Sequence, residues 1–139
     1  MTKITFLHGA SDRFQAAVTW LAAAYSKGTR VIVYAPLDAP TIDQRLWTQP
    51  ATGFIPHCRA NSPLATETPV LIATDLECIA HDECLLNLSD EIPPGFSRFV
   101  GLTEIVSTSD SDRLPGRERF RIYREQGYPL ESRNIATEF

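Results

Sequence analysis

The 139-residue sequence carries 13 Lys+Arg against 17 Asp+Glu, a net charge of −4, which argues against a protein that coats DNA through many basic phosphate contacts. Its 43% apolar and 22% charged residues, with only 7 Gly and 10 Pro, exclude collagen-like, disordered and coiled-coil classes and suit one globular domain with its own core. The longest mostly apolar run, Phe14 to Tyr25, is shorter than the roughly 20 residues a membrane span requires. The start, Met1 to Phe6, lacks signal-peptide architecture, and Cys58, Cys78 and Cys84 cannot all pair; a reducing cytoplasm is expected.

Lys3-Ile4-Thr5-Phe6-Leu7 alternates as a strand, and His8-Gly9-Ala10-Ser11-Asp12 supplies a turn. Asp12 and Gln15 form a capping-box variant ahead of Phe14, Ala17, Val18, Leu21, Ala22 and Tyr25 at helical spacing, and Lys27-Gly28 ends that helix. The β-branched run Arg30 to Ala35 predicts a strand covered on both faces, completing a βαβ unit. Asp38-Ala39-Pro40 starts a second helix with Ile42, Leu46 and Trp47 on its apolar face. Trp47 to His57, with Pro50, Gly53, Phe54 and Pro56, reads as an irregular loop. Further strands are expected at 69–73, 83–88 and 99–106, with a break at Pro93-Pro94-Gly95. The polar loop Ser107 to Asp112 caps a last helix from Arg113 to Gln126, with Pro115 in its first turn. The final dozen residues have no period and are expected to lie along the surface or fray.

Signatures of catalysis are missing. The seven glycines never fall as Gly-x-Gly and no Gly-x-x-x-x-Gly-Lys occurs, so neither a dinucleotide loop nor a P-loop can be drawn. Cys78-x-x-His81-x-x-Cys84 resembles metal spacing but lacks a fourth ligand, and Cys84 falls in an apolar strand. No metal or cofactor is expected.

Charge is distributed unevenly. Residues 1–59 hold six bases and three acids, 60–112 one base and ten acids, and 113–139 six bases and four acids. In the last helix Arg113, Arg117, Arg121 and Arg124 share one stripe, with Phe120 and Tyr123 beside it. Guanidinium suits bidentate capture of carboxylates, and aromatic neighbours offer an apolar partner somewhere to insert. A solvated face with pairs such as Arg121–Glu125 is the plainer reading of the same stripe. The aromatic loop is equally open: a core plug, or an exposed anchor for a partner.

Leu46-Trp47-x-x-Pro50-x-x-x-Phe54-x-Pro56-His57, followed by Arg117-Glu118-Arg119-Phe120-x-x-Tyr123-Arg124-x-x-Gly127-Tyr128, resembles the chi subunit of bacterial DNA polymerase III holoenzyme. The resemblance implies a three-layer α/β fold with a mostly parallel central sheet, Rossmann-like without a phosphate loop. It implies a non-catalytic adaptor that forms a heterodimer with the psi subunit, reaches the clamp loader through psi, and binds the acidic C-terminal tail of single-stranded DNA-binding protein. DNA contact would be mostly indirect, at the replication fork. Carried over by motif, Arg117 would receive the tail's terminal carboxylate, with Phe120 and Arg121 beside it, Arg113 and Arg124 on the same stripe, and Trp47 in the nearby apolar pocket. Phe54, Ile55, Pro56 and His57 would face psi. Phe120-Arg121 stands where the family can have Tyr-Lys. Two alternatives belong to other classes: a nucleotide-binding enzyme with its site near His8, and a direct nucleic-acid binder using the Arg helix.

Overall fold

The computed structural model describes residues 1–48, 54–77 and 79–135. In chain order these form β1 (Lys3–Ala10), α1 (Arg13–Ser26), β2 (Val31–Tyr34), α2 (Ala39–Thr48), β3 (His57–Arg59), β4 (Val70–Ala73), β5 (Cys84–Asn87), β6 (Gly101–Ser107), α3 (Asp110–Glu125) and β7 (Leu130–Asn134). The strands make one sheet in the order β3-β4-β2-β5-β6-β1-β7, parallel at every pairing. Every residue of β2 and β4 is buried, which is why those segments read as unbroken apolar runs.

Helices α1 and α2 cover one face, where Ala17, Val18, Leu21, Ile42 and Leu46 pack on Val31, Val33, Ile72, Leu86 and Ile105. The other face carries Ile4, Phe6, Ile32, Leu71, Leu85 and Leu102 under Tyr123 of α3 and under Phe96, Phe99 and Ala65 from irregular segments. Three layers result, the second outer layer being one helix and two short 3₁₀ turns at 65–67 and 96–98. Among the described residues no helix is long and apolar enough to cross a membrane.

The expected caps are present. The Asp12 carboxylate accepts from the N–H groups of Phe14 (3.0 Å) and Gln15 (3.3 Å), and Gly28 takes φ 76° just past the end of α1, a conformation that costs a side-chain-bearing residue more. Burial alone would raise the Asp12 pKa, but the Arg45 hydrogen bond and these two N–H groups outweigh it and hold the carboxyl below its ordinary value. The next residue, Arg13, is buried and donates from Nε to the Ile105 carbonyl (2.7 Å) and from Nη2 to that of Ser89 (2.8 Å), tying the start of α1 across two strand ends.

The first two strands flank one helix in sequence but are not neighbours: β5 and β6 insert between β2 and β1. Three expectations need correction. Helix α3 begins at Asp110, after Ser109, so Pro115 lies inside it and withholds the N–H that the Ser111 carbonyl would otherwise receive. Asp110 and Asp112 occupy the first turn, where negative charge favours a helix. The C-terminal segment is strand β7, parallel to β1 from Ile4↔Leu130 to His8↔Asn134; backbone pairing with a free sheet edge organises residues whose side chains are mostly exposed, so no side-chain period announces it. Trp47 leaves the apolar face of α2 and is 62% exposed. Residues 49–53 of the aromatic loop, Cys78 and residues 136–139 lie outside the described residues.

A buried ionic network joins α3 to the sheet. Glu104 of β6 is wholly buried. Its carboxylate accepts from Asn87 Nδ2 (2.9 Å), Arg119 Nε and Nη2 (both 3.1 Å) and Tyr123 Oη (2.8 Å). Burial first, then the Glu104 charge, holds the Tyr123 hydroxyl far above its ordinary pKa, so it stays a donor. One turn earlier, Gly116 lets the helix approach β6 so closely that an added Cβ would stand 2.6 Å from Val106 Cγ1.

Two expected outcomes follow for stability. Arg119→Met strands a buried carboxylate and lowers the unfolding free energy by about 3–5 kcal/mol; Arg119→Met with Glu104→Gln loses less in urea denaturation, because no unpaired charge remains. Gly116→Ala destabilises by about 1–3 kcal/mol through overpacking, and adding Val106→Ala recovers part of that loss in the same measurement.

Candidate functional site

The Arg stripe of α3 separates into distinct environments. Arg113 pairs with Asp110, and Arg121 is held by Glu118 and by Glu125, the latter at 2.7 Å. Arg124 lies over the Phe120 ring, 5.9 Å from its centroid. The Arg117 guanidinium has no hydrogen bond or ion pair to any described residue. The plainer reading of the stripe therefore applies to Arg121, and Arg117 is left with its charge uncommitted among the described residues. Arg119, off the stripe, is the buried partner of Glu104.

Arg117 borders a pocket of about 400 Å³ between α3 and the β7 side of the sheet. Phe6 and His8 of β1, Val106 and Ser107 of β6 and the following Thr108 line its floor and end; Arg113, Gly116, Arg117 and Phe120 form the α3 wall, with Ser132 of β7 opposite. Phe120 stands edge-on to Phe6, centroids 5.1 Å apart at 77°, so the base of the pocket is aromatic. Among the described residues its lining carries three basic side chains, His8, Arg113 and Arg117, and no carboxylate. Such a site can take an anion attached to an apolar group: the low-dielectric floor strengthens charge-assisted hydrogen bonds from guanidinium, and the rings receive the apolar part.

The structure brings Arg113, Arg117 and Phe120 together here and leaves Arg121 and Arg124 out of the lining. Trp47 is not part of this pocket either. It sits at the end of α2, on the opposite face of the sheet and toward the β3 edge. Nothing in the sequence marks Phe6, Val106 and Ser132 for this site, because they come from strands far from α3 in sequence, and His8 stands out there only beside a nucleotide alternative.

Trp47 belongs to a second constellation. Its ring centroid is 5.4 Å from Phe54 and 5.0 Å from His57. Phe54 is 60% exposed, whereas Ile55 is 1% exposed and belongs to the core, so Ile55 supports this surface from beneath. Pro56 is half-buried. His57 is pinned beneath the two rings, with Nδ1 2.7 Å from the Ile55 carbonyl and Nε2 3.3 Å from Asp43 Oδ1 of α2. Two large aromatics exposed side by side on a fixed base are what an interface anchor requires.

The strand-end region near His8 suits nucleotides poorly. A cleft of about 760 Å³ lies where α1, α2 and α3 begin, at the usual ligand side of such sheets. Asp12, Asp38, Asp90, Glu91 and Asp112 line it. The favourable helix ends already face side-chain carboxylates, and a phosphate would meet their repulsion. As for metal, no group of three candidate ligands exists among the described residues; Cys84 starts β5, where burial pushes its thiol up to about 11.

The family described as DNA polymerase III chi subunit, HolC, matches residues 1–131. The chain is 32% identical over 127 residues to the DNA polymerase III subunit chi of Pseudomonas aeruginosa, covering 90% of this chain and 88% of that protein. It is 27% identical over 131 residues to the corresponding subunit of Escherichia coli (92% and 89%), and 27% identical over 117 residues to that of Haemophilus influenzae (82% and 81%). The chain therefore belongs to the DNA polymerase III chi subunit family.

Proposed function

We propose that this chain, an accessory subunit of DNA polymerase III by family, is a non-catalytic adaptor in DNA replication. In this reading it holds the acidic C-terminal tail of single-stranded DNA-binding protein in the Arg117 pocket and the psi subunit on the Trp47–Phe54 surface. Psi attaches it to the clamp loader, and it works in the cytoplasm at the replication fork.

The observation that carries the reading is the pocket itself: three bases, an aromatic base and, among the described residues, no carboxylate and no partner for the Arg117 guanidinium. A tail ending in a Pro-Phe carboxylate fits that chemistry. Its terminal carboxylate takes hydrogen bonds from a charged donor, worth about 1.5–3 kcal/mol. Burial of the terminal ring contributes about 1.5–3 kcal/mol more. Acidic residues upstream are steered by the basic face of α3, so affinity falls as salt rises.

The second surface supports bridging. The aromatic pair sits toward the β3 edge on the α2 face, the pocket toward the β7 edge on the α3 face, so one chain can carry both partners without either obstructing the other. Direct nucleic-acid binding through α3 is less well supported, because Arg121 and Arg113 are already paired and residues 60–112 carry ten acids against one base.

Arg117→Ala weakens binding of a tail peptide by about tenfold to hundredfold, while the melting temperature and psi binding stay as in the parent; unchanged affinity by calorimetry overturns the pocket assignment. Phe54→Ala has the reverse profile. It no longer co-elutes with psi on gel filtration and keeps its tail affinity, and co-elution of this variant refutes the aromatic surface as the psi site.

A further inference from the structure

We propose that His8 is a direct contact for the anionic end group in the Arg117 pocket and makes that group bind more tightly as pH falls. The identity of the ligand rests on the tail-binding reading above; the placement of His8 does not.

Alternation along β1 puts Ile4, Phe6 and His8 on the α3 face of the sheet. The first two are buried under aromatic side chains. The third continues the same row to the pocket, where an apolar residue would complete the floor and an imidazole stands instead. That imidazole makes no hydrogen bond or ion pair with any described residue, although the His8 carbonyl accepts from the Ile135 N–H at 2.8 Å. Packing and strand pairing thus account for the backbone at this position and leave the ring unexplained.

The charged groups around the ring leave room for an incoming anion. On the α3 wall of the same pocket stand Arg113, paired with Asp110, and Arg117. On the β6 side stands Val106, and the carboxylate further along that strand, Glu104, is already taken up by Asn87, Arg119 and Tyr123. From β7 the residues on this face are Leu130, Ser132 and Asn134, while Glu131 and Arg133 alternate to the other side. Among the described residues the lining therefore places no carboxylate beside the imidazole, and two guanidiniums share the pocket with it. A ligand carboxylate reverses that balance. Opposite charge favours the protonated ring, and by linkage the protonated ring favours the ligand. Histidine is the side chain whose charge changes across pH 5 to 8, whereas arginine keeps its charge throughout. His8 thus adds a titratable element to a site whose other bases are permanently charged.

The test uses an N-acetylated acidic peptide ending in Pro-Phe with a free carboxylate, titrated calorimetrically into the full chain at pH 6, 7 and 8 and constant ionic strength. Affinity for the wild-type chain is expected to rise about threefold to tenfold from pH 8 to pH 6, and the rise to disappear in His8→Gln. In parallel, the Cε1 proton of His8, followed by NMR, should titrate at higher pH with the peptide bound than without it, with His57 and His81 as internal references; this readout needs no variant. A wild-type affinity independent of pH, the same slope in His8→Gln, or a His8 resonance indifferent to peptide each overturns the role of His8 while leaving the Arg117 pocket standing. Absence of binding by the wild-type chain at every pH overturns the tail reading and this inference together.

Discussion

The burial of one carboxylate sets the geometry of the molecule. Glu104 points from the middle of β6 into the layer beneath α3, where an ion without partners would be strongly destabilising. It is tolerated because Asn87 of β5 and Arg119 and Tyr123 of α3 supply donors on every side. Hydrogen bonds are directional, so this network specifies which side of α3 faces inward as well as that the helix docks. With Arg119, Tyr123 and Gly116 turned to the sheet, helical geometry directs Arg113, Arg117 and Arg121 outward and leaves Phe120 at the margin, against Phe6. The cationic pocket is thus a by-product of how a buried ion pair is satisfied.

The sheet shares the all-parallel strand direction of a nucleotide-binding architecture, in a different strand order, and its strand-end cleft is chemically reversed. Where such folds direct helix N-termini and backbone donors at phosphate, this chain places Asp12, Asp38 and Asp112 close to the helix starts. The carboxylates stabilise the helix ends and exclude other anions. The features suited to binding have moved to the edges: an aromatic pair toward β3 and a basic, aromatic-based pocket toward β7. A wide, rigid parallel sheet between them keeps the two surfaces at a fixed separation, which suits the proposed bridging role better than two sites on one loop would.

Local signals and long-range ones differ in how far they can be read. The Asp12 cap, the Gly28 stop and the apolar runs of β2 and β4 were legible because each depends on neighbours within a few residues. Arg117 and Phe120 were legible as a pair for the same reason, being three apart on one helix. Trp47 was misplaced because a tryptophan near an apolar face carries no information about which side of a helix end it will turn to; contact with Phe54 and His57, across residues 49–53, determines it. Strand β7 was missed because edge pairing is a backbone interaction, and the side chains of Leu130 to Asn134 mostly meet water.

The uneven charge, the missing phosphate loop, the α/β pattern and the two family motifs are properties of the sequence by itself, since composition and short spacings survive any arrangement of the elements. Tertiary structure alone decided that β5 and β6 separate β1 from β2, that one arginine of α3 is buried while its stripe divides, and that His8 and Ser132 share a pocket with Arg117. The physical reason is the same in each case. A parallel sheet joins strands that are distant in the chain, and the choice among orders depends on satisfying buried groups such as Glu104 and Arg13, whose partners come from segments far removed in sequence.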